Sequence, residues 1–355
     1  MSDRSWPILP PGLTADELTA WAPRIPTPVA LTGATGFVGS HLLEALVAAG
    51  IRPRVLARNP ARLSSVAREG ADVVWGDLSE PCSLRNLVKG CGTVLHLAGL
   101  VRAPDAASFD CSNRVGTENV LTAIEEMTGG ARFVYVSSLA AAGPSTSPAG
   151  RGSGEPPRPI SAYGRSKLQG EDTVRRRRGE WVILRPPVIY GPRDIGTLRF
   201  FRLAARGYCP IPRGERWVTV AYVADVVRAI LAAAAGAGLG LVLHLGEPRP
   251  YRMKELISLV AEAGDVQTRP VRIPLAILWM AGWGGNVLQR LGCSSVALTS
   301  DKSRELCARH WSSRTTDSLA ILGLAGSVPF RIGARVTWAW YRDHGWVSCA
   351  KLSRA

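Results

Sequence analysis

The stretch TGATGFVGS, residues 32–40, decides the fold of this chain. A short apolar run, 29–32, precedes it, and apolar side chains at helical spacing follow it. Glycines between a strand and a helix are typical of a loop that binds a dinucleotide pyrophosphate, because the helix N-terminus supplies N–H donors and partial positive charge. Gly33 would permit the tight turn, Gly36 would let the pyrophosphate approach the backbone, and Gly39 would allow close packing of the helix on the strand.

Strand-like and helical segments alternate outward from this loop. Parallel strands need helical crossovers of this length. We therefore predict an α/β fold, a doubly wound parallel (Rossmann) sheet with a smaller mixed C-terminal substrate-binding part. After the first strand, the predicted strands are 54–57, 72–75, 93–97, 132–136, 181–184 and 241–245.

The predicted domain boundaries lie where this regularity breaks. Gly191 and Pro192 interrupt the pattern, and prolines follow before the chain is expected to return to the sheet near 218–223. The predicted division is an N-terminal extension, 1–28; a nucleotide-binding domain, 29–191, completed by 218–246; a substrate-binding part, 192–217 and 247–346; and a tail, 347–355.

Composition supports a packed, enzyme-sized core. The 355 residues are 46% hydrophobic, and the 37 Gly and 25 Pro show no period, which excludes collagen-like and wholly disordered chains. The net charge is +15, but only five of the 43 basic residues are Lys and no nucleic-acid recognition motif accompanies them. We therefore expect no nucleic-acid partner, although the charge permits transient contact with anionic membranes.

Cysteine usage and the termini indicate a cytoplasmic protein. Seven Cys form no CxxC pair, and the odd count is unlike a disulfide framework. Residues 1–28 hold six prolines and lack the apolar core of a secretory signal. The longest apolar stretches, 229–245 and 273–283, are respectively broken by glycines and too short to span a bilayer.

A phenol and an ammonium are placed for acid–base chemistry. Tyr163 and Lys167 are four residues apart, hence on one helical face, and a nearby cation is expected to lower the pKa of Tyr163 from about 10. Ser137 and Ser138 end a predicted strand at the edge where doubly wound sheets bind ligands. Asn113 begins a helical stretch and either caps it or supports the lysine.

These motifs together resemble the extended short-chain dehydrogenases/reductases, the NAD-dependent epimerase/dehydratase family, over nearly all of residues 29–346. The matching stretches, in chain order, are TGATGFVG at 32, GDL at 76, HLAG at 96, NRVGTENV at 113, VYVSS at 134, YGRSK at 163, LRPPVIYGPRD at 184 and YVADVVRA at 222. The resemblance implies an NAD(P)-dependent enzyme without a metal, and a homodimer formed through the Asn113 and Tyr163 helices.

The resemblance also implies roles for individual residues. Ser138 would polarise a substrate carbonyl, Tyr163 would pass the proton, Lys167 would hold the nicotinamide ribose, and Asn113 would support the proton relay. Ser138 fits better than Ser137 because it stands five residues before a glycine, and Ser137 is the alternative. The expected cofactor contacts are Gly33, Thr35, Gly36, Phe37, Val38, Gly39, Arg58, Asp77, Leu78, Leu97, Ala98, Gly99, Tyr163, Lys167, Pro186 and Val188.

The choice between the two nicotinamide cofactors depends on the end of the second strand. An NAD enzyme usually carries a carboxylate there for the ribose 2′-OH. This chain has Arg58, with Arg62 behind it, and a guanidinium can bind a 2′-phosphate with two hydrogen bonds. The sequence therefore favours NADP(H) over NAD(H).

Two departures from sugar-nucleotide members of the family favour an apolar substrate. Val188 stands where those members carry an Asn, and Val218 where they carry a diphosphate-binding Arg. The C-terminal part resembles bacterial 3β-hydroxysteroid dehydrogenase-like proteins, with apolar and Trp-rich stretches at 274–283 and 338–346 that either contact substrate or pack in the core. We predict interconversion of a secondary alcohol and a ketone on a hydrophobic, steroid- or isoprenoid-like molecule.

Two alternatives stay open. A nucleotide-sugar epimerase or dehydratase would need Arg216 to compensate for Val218. A cofactor-binding structural or assembly protein would keep the fold without chemistry, although the intact Ser138, Tyr163 and Lys167 set opposes it.

Overall fold

The computed structural model describes residues 12–290 and 298–347. The outer ends of the predicted extension and tail, 1–11 and 348–355, therefore lie outside the described residues. The strands are β1 Val29–Thr32, β2 Arg54–Ala57, β3 Asp72–Trp75, β4 Thr93–His96, β5 Arg132–Val136, β6 Trp181–Arg185, β7 Val188–Tyr190, β8 Tyr208–Pro212, β9 Trp217–Val218, β10 Val220–Tyr222, β11 Val242–His244, β12 Tyr251–Arg252, β13 Arg269–Ile273 and β14 His310–Trp311.

Helices separate most of these strands, as the crossover pattern predicts. Short 3₁₀ turns cover Ala22–Arg24 and Pro60–Arg62, and one π turn covers Cys111–Val115. The α-helices are α1 Ala15–Trp21, α2 Phe37–Ala48, α3 Ser65–Glu69, α4 Pro81–Val88, α5 Ala106–Asp110, α6 Gly116–Met127, α7 Leu139–Ala142, α8 Ala162–Arg176, α9 Ile195–Ala205, α10 Val223–Ala234, α11 Met253–Ala263, α12 Leu275–Arg290, α13 Ser300–Cys307, α14 Thr316–Ile321 and α15 Phe330–Asp343.

Seven parallel strands form the main sheet in the order β11-β6-β5-β4-β1-β2-β3. The predicted Rossmann fold is confirmed. The strand order reverses between β1 and β4, and in open α/β sheets ligands bind beyond the carboxyl ends of the strands at this switch point. The loops after β1 and β4, which contain the glycine motif and residues 97–99, therefore flank the expected cofactor position.

The predicted return to the main sheet near 218–223 is wrong in detail. β10 pairs only with β7, and β9 lies between β12 and β14, so both belong to separate small sheets. Pro186 and Pro187 interrupt the chain between β6 and β7, and proline has no N–H to donate to a strand ladder. The edge of the main sheet beside β6 is instead occupied by β11.

The described part of the N-terminal extension packs on the protein through α1. Thr14 and Glu17 form a capping box at the start of this helix, which satisfies its first N–H groups. Leu18 is buried, and Glu17 forms an ion pair with Arg228 of α10 at 2.6 Å. In residues 12–290 and 298–347, no helix combines the length and apolarity needed to cross a membrane.

Candidate active site

The glycine loop closes tightly on itself and on the loop after β4. Gly33 has φ +79°, and a β-carbon there would lie 2.7 Å from the Ala98 nitrogen. A β-carbon on Gly39 would collide with the Gly33 carbonyl oxygen, so the predicted roles of these two glycines in the turn and in close packing agree with the geometry. Accessible surface remains on the four residues at the start of α2 and just before it, Thr35, Gly36, Phe37 and Val38.

This loop fits a dinucleotide. The N-terminus of α2 begins after Gly36 with no side-chain cap, so its first N–H groups are available to an anion. A β-carbon at Gly36 would fill part of that cradle, 3.2 Å from the Gly33 oxygen. Among the described residues, no group of three or more His, Cys, Asp and Glu could hold a metal ion.

A buried hydrogen-bond chain joins the loops on the two sides of the switch point. Thr32 Oγ1 accepts from the Ala98 N–H at 3.2 Å and lies 2.7 Å from His96 Nδ1. His96 Nε2 lies 3.1 Å from Thr117 Oγ1, and burial lowers the pKa of His96 to about 3, so the ring is neutral. This chain holds Leu97, Ala98 and Gly99 against the glycine loop.

The cofactor residues at the ends of β2 and β3 face each other. Arg58 is three-quarters exposed, and its Nε lies 3.5 Å from Asp77 Oδ2. Arg62 is also exposed. Leu78 packs on Gly116 of α6, where a β-carbon would come within 2.8 Å of it.

Tyr163 lies at the start of α8, in contact with Ser138. The Ser138 side chain lies close enough to Tyr163 to favour its charged form and so to lower its pKa. Burial has the larger effect and raises the pKa to about 12, with a further rise from the charge of Glu305. The predicted lowering of this pKa is therefore not found, because the loss of hydration on burial destabilises the phenolate by more than the neighbouring groups stabilise it.

Lys167 points to the end of β5, one helical turn from Tyr163. Its Nζ donates to the Val136 carbonyl at 2.8 Å and lies 4.3 Å from the centre of the Tyr135 ring. Burial lowers the pKa of Lys167 to about 7, which the charge of Glu171 only partly opposes.

The two candidate serines have different partners. Ser137 is buried and donates to Glu171 Oε1 at 2.5 Å. Glu171 is itself paired with buried Arg185, whose Nε donates to Oε1 at 2.8 Å. Ser138 is the serine that contacts Tyr163, so the geometry favours Ser138 as the residue that meets a substrate oxygen.

Asn113 is buried in the π turn and braces the loop after β4. Its Nδ2 donates to the Leu100 carbonyl at 3.0 Å and to Ser166 Oγ at 2.9 Å, while Oδ1 accepts from the Leu100 N–H at 2.8 Å. A β-carbon on Gly99 would lie 2.6 Å from Asn113 Oδ1 and 3.8 Å from Lys167 Nζ. Asn113 is thus a positioning residue beside Lys167 rather than a helix cap.

Arg216 is directed into the protein. It is buried, and its guanidinium donates to backbone carbonyls, including those of Leu306 at 3.1 Å and Arg213 at 2.8 Å. Burial lowers its pKa. The side chain therefore does not replace the diphosphate-binding arginine whose place is taken by Val218, which is also buried.

The remaining predicted cofactor residues lie after β6, beside Ser138. The Pro186 carbonyl accepts from the Leu139 N–H at 2.8 Å, which ties the strand end to the helix that follows Ser138. Val188 begins β7 and is half exposed. Both therefore lie beyond the carboxyl end of β6, on the ligand-binding edge of the sheet.

Sequence reasoning missed four charged residues around this site. Glu171 follows Tyr163 and Lys167 at helical spacing, and this repeat was an available signal. Its partner Arg185 carried no such signal. Asp301 of α13 accepts from the Ala162 N–H at 2.8 Å, and Glu305 of the same helix acts on Tyr163, contacts that span more than 130 residues.

Comparison with known proteins shows the family of this chain. The model of the NAD dependent epimerase/dehydratase family matches residues 29–240. A ceramide reductase of Caulobacter vibrioides is 35% identical over 90% of this chain and 96% of its own length. A 4-hydroxy-2-methyl-3-oxo-4-farnesyl-3,4-dihydroquinoline-1-oxide ketoreductase of Stigmatella aurantiaca is 30% identical over 73% of this chain and 80% of its own. A dTDP-glucose 4,6-dehydratase of Streptomyces venezuelae, solved with NAD, has a TM-score of 0.71 at 23% identity, covering 90% and 99%.

Proposed function

Since the chain belongs to the NAD-dependent epimerase/dehydratase family and is an enzyme of the extended short-chain dehydrogenase/reductase type, we propose that it interconverts a ketone and a secondary alcohol on a hydrophobic, lipid-like substrate. The observation that carries the proposal is the contact of Ser138 with Tyr163, one helical turn from Lys167. A bound nicotinamide would supply the hydride in the reduction.

The proton chemistry belongs to Tyr163. With a pKa of about 12 it keeps its proton at neutral pH, so it is suited to donate to the oxygen of a ketone as that oxygen gains charge. Ser138 donates to the same oxygen and orients it. Lys167, held between Val136 and Tyr135, would hold the nicotinamide ribose and reload the proton, and Asn113 keeps the neighbouring loop in place.

Apolar surface at the ligand-binding edge supports a hydrophobic substrate. Val101, Val188 and Ile195 follow the carboxyl ends of β4 and β6 and are all exposed. Burial raises the pKa of Asp194, and the charge of Arg102 partly opposes that rise, so the segments of Val101 and Ile195 are neighbours. The names of the ceramide reductase and the farnesyl-dihydroquinoline ketoreductase describe apolar molecules, which supports the same class here.

Reduction of hydrophobic ketones with NADPH or NADH, followed by nicotinamide absorbance, tests the proposal. Tyr163→Phe keeps the ring but removes the hydroxyl that donates the proton, so turnover should fall by about 10²–10⁴-fold while the cofactor Kd is unchanged. Tyr208→Phe is the matched control, since Tyr208 is exposed and makes no contact in this site. Full activity of Tyr163→Phe would disprove the acid–base assignment.

The same panel separates the alternative functions. Conversion of UDP- or dTDP-sugars, with a rise in Tm on their addition, would indicate a nucleotide-sugar enzyme, which the inward direction of Arg216 opposes. A wild-type protein that binds cofactor but converts no substrate of either class would indicate a structural or assembly role.

For the cofactor we propose a preference for NADP(H). Arg58 and Arg62 are exposed beyond β2. Among the described residues the Arg58 guanidinium has one long contact, to Asp77, so both side chains can turn to a 2′-phosphate. Arg58→Asp should then weaken NADPH binding roughly tenfold and leave NADH binding unchanged or stronger. Equal loss for both cofactors would show that Arg58 does not select between them.

A further inference from the structure

Helix α12 exposes large apolar side chains to solvent. Ile277 is 53% exposed, Met280 73% and Trp283 71%, and Val287 and Leu288 are exposed as well. From 275 to 289 this helix carries no charged residue. A contiguous apolar patch of this kind on a soluble domain marks a surface that meets another apolar phase.

The exposure follows from how α12 is attached. One face packs on α13, where Ser303 Oγ donates to the Leu278 carbonyl at 2.7 Å and a β-carbon on Gly282 would collide with Ser303. One turn further on, Asn286 Nδ2 donates to Ser300 Oγ at 2.6 Å. These contacts hold the face that contains 278, 282 and 286, and leave the opposite face, with 280, 283 and 287, uncovered by the described residues.

Basic residues accompany this apolar face. Between 266 and 300 the chain has three Arg and no Asp or Glu. Arg269 and Arg272 are exposed on β13, which leads into α12, and Arg213 is exposed beside the end of that strand. Arg213, Arg269 and Arg272 form no ion pair with a residue that the structure describes. Their charge is therefore free for an external anion.

The same helix pair reaches the active site. α13 packs on α12 along one side, and its Asp301 accepts from the Ala162 N–H at 2.8 Å, immediately before Tyr163. Glu305 of α13 influences the pKa of Tyr163. The apolar surface is thus separated from the reacting hydroxyl by a single helix.

We propose that α12 and β13 form a docking surface for an anionic phospholipid bilayer. The helix would lie in the plane of the interface with Met280, Trp283 and Val287 among the acyl chains. Arg269 and Arg272 lie on opposite faces of β13, so the one on the side of the bilayer would contact lipid phosphates and the other would add to the positive charge nearby. Charge complementarity favours an anionic bilayer over a second copy of this chain, since the second copy carries the same net charge of +15. The proposal goes beyond the proposed function and does not require it.

Sedimentation of the full chain with vesicles tests this docking without any turnover. Phosphatidylcholine mixed with phosphatidylglycerol is compared with phosphatidylcholine alone, at low and high salt. Wild type should bind the anionic vesicles and lose affinity when phosphatidylglycerol is omitted or salt is raised, because each arginine near an anionic surface contributes roughly fivefold. Equal binding to both vesicles, or to neither, would overturn the proposal.

Paired variants locate the surface. Ile277→Glu/Met280→Glu should weaken vesicle binding by about tenfold or more. The control Ile321→Glu/Ile332→Glu changes two other exposed apolar side chains, on α14 and α15, and should bind as wild type. Arg269→Ser/Arg272→Ser should reduce binding to anionic vesicles only, whereas Arg176→Ser/Arg178→Ser removes the same charge from the end of α8 without effect.

Circular dichroism and Tm of each variant confirm that it is folded, so that a loss of binding is assigned to the surface. Unchanged binding by the folded α12 variant would overturn the proposal. A second result would also overturn it: wild type does not bind vesicles but sediments in solution as a dimer, and the α12 variant sediments as a monomer. The apolar surface would then be covered by a second copy of the chain. The activity of the enzyme on soluble substrates does not depend on vesicle binding. The result of this test is therefore independent of the test of the proposed function.

Discussion

Two apolar, tryptophan-containing helices of the C-terminal part have opposite environments. In α15, Trp338, Trp340 and Tyr341 are buried. In α12, Trp279 and Trp283 are exposed. Sequence analysis treated the stretches 274–283 and 338–346 alike, as either core or substrate contacts. Burial in the core is confirmed for residues 338, 340 and 341 of the second stretch, whereas in the first stretch only residues 278 and 282 are buried.

The difference is one of neighbours. α15 lies against α11 and meets aromatic rings from distant segments, with Phe201 5.7 Å from Trp338 and Tyr190 4.7 Å from Phe330. α12 has α13 on one side and no described residue on the other. Similar apolar composition thus produces stability in one helix and an exposed binding surface in the other.

The largest expected effect is in α15. Trp338→Ala removes a buried side chain between Phe201 and Gly264 and should lower the free energy of unfolding by about 3–5 kcal/mol. Urea unfolding followed by circular dichroism measures it. A change below about 1 kcal/mol would show that α15 is not part of the core.

Acidity should affect the α15 region through Glu247. This buried carboxyl group accepts from the Tyr251 hydroxyl at 2.6 Å, and burial raises its pKa from 4.5 to about 7. The folded state then holds a proton that the unfolded state releases, so this group stabilises most below pH 4.5, and its contribution is lost as pH rises through 7, up to about 3 kcal/mol.

The Tm of wild type and of Glu247→Gln is measured as a function of pH, and the difference between the two Tm values at each pH reports this contribution. The difference is needed because His41, His96 and His244, whose pKa values burial lowers to about 3, act with the opposite sign up to about pH 6.5. Glu262→Gln, on the exposed side of α11, is the control. Parallel curves for wild type and Glu247→Gln would contradict the prediction.

Two glycines of α12 separate its attached and open faces. Gly282→Ala places a methyl group against Ser303 and should cost about 1–3 kcal/mol. Gly284→Ala meets no atom within 4 Å and should stabilise by about 0.5–1 kcal/mol, since alanine is the better helix former. Thermal unfolding should therefore show a lower Tm for Gly282→Ala and a higher Tm for Gly284→Ala. The same sign at both positions would mean that α12 does not lie on α13 in this orientation.

The smallest effect is expected at the exposed tryptophan. Trp283→Ala should change the free energy of unfolding by less than about 0.5 kcal/mol, because the side chain already meets water in the folded state. The same urea titration as for Trp338→Ala provides the measurement. A cost above about 2 kcal/mol would show that Trp283 is covered in solution.

Much of the nucleotide-binding part could be predicted from sequence. Three features depend on residues that are close in the chain, where turn residues and periodicity can be recognised in the sequence. They are the glycine loop, the six main-sheet strands after the first, and the Tyr163–Lys167 pair. The direction of Arg216 could not be predicted, because it is set by carbonyls up to 91 residues away. The sequence already favoured Ser138 over Ser137, but the hydrogen bond that holds the Ser137 hydroxyl on Glu171 could not be predicted.

The sequence by itself determined the α/β fold, the position of the glycine loop and the candidate acid–base pair Tyr163 and Lys167, because these are local patterns that depend on the period of a strand or a helix. Only the tertiary structure decided how those residues titrate and which apolar stretch stays exposed. Burial sums the contributions of every neighbour, whatever its distance in the chain, so it raises the pKa of Tyr163, lowers that of Lys167, covers α15 and leaves α12 open to solvent.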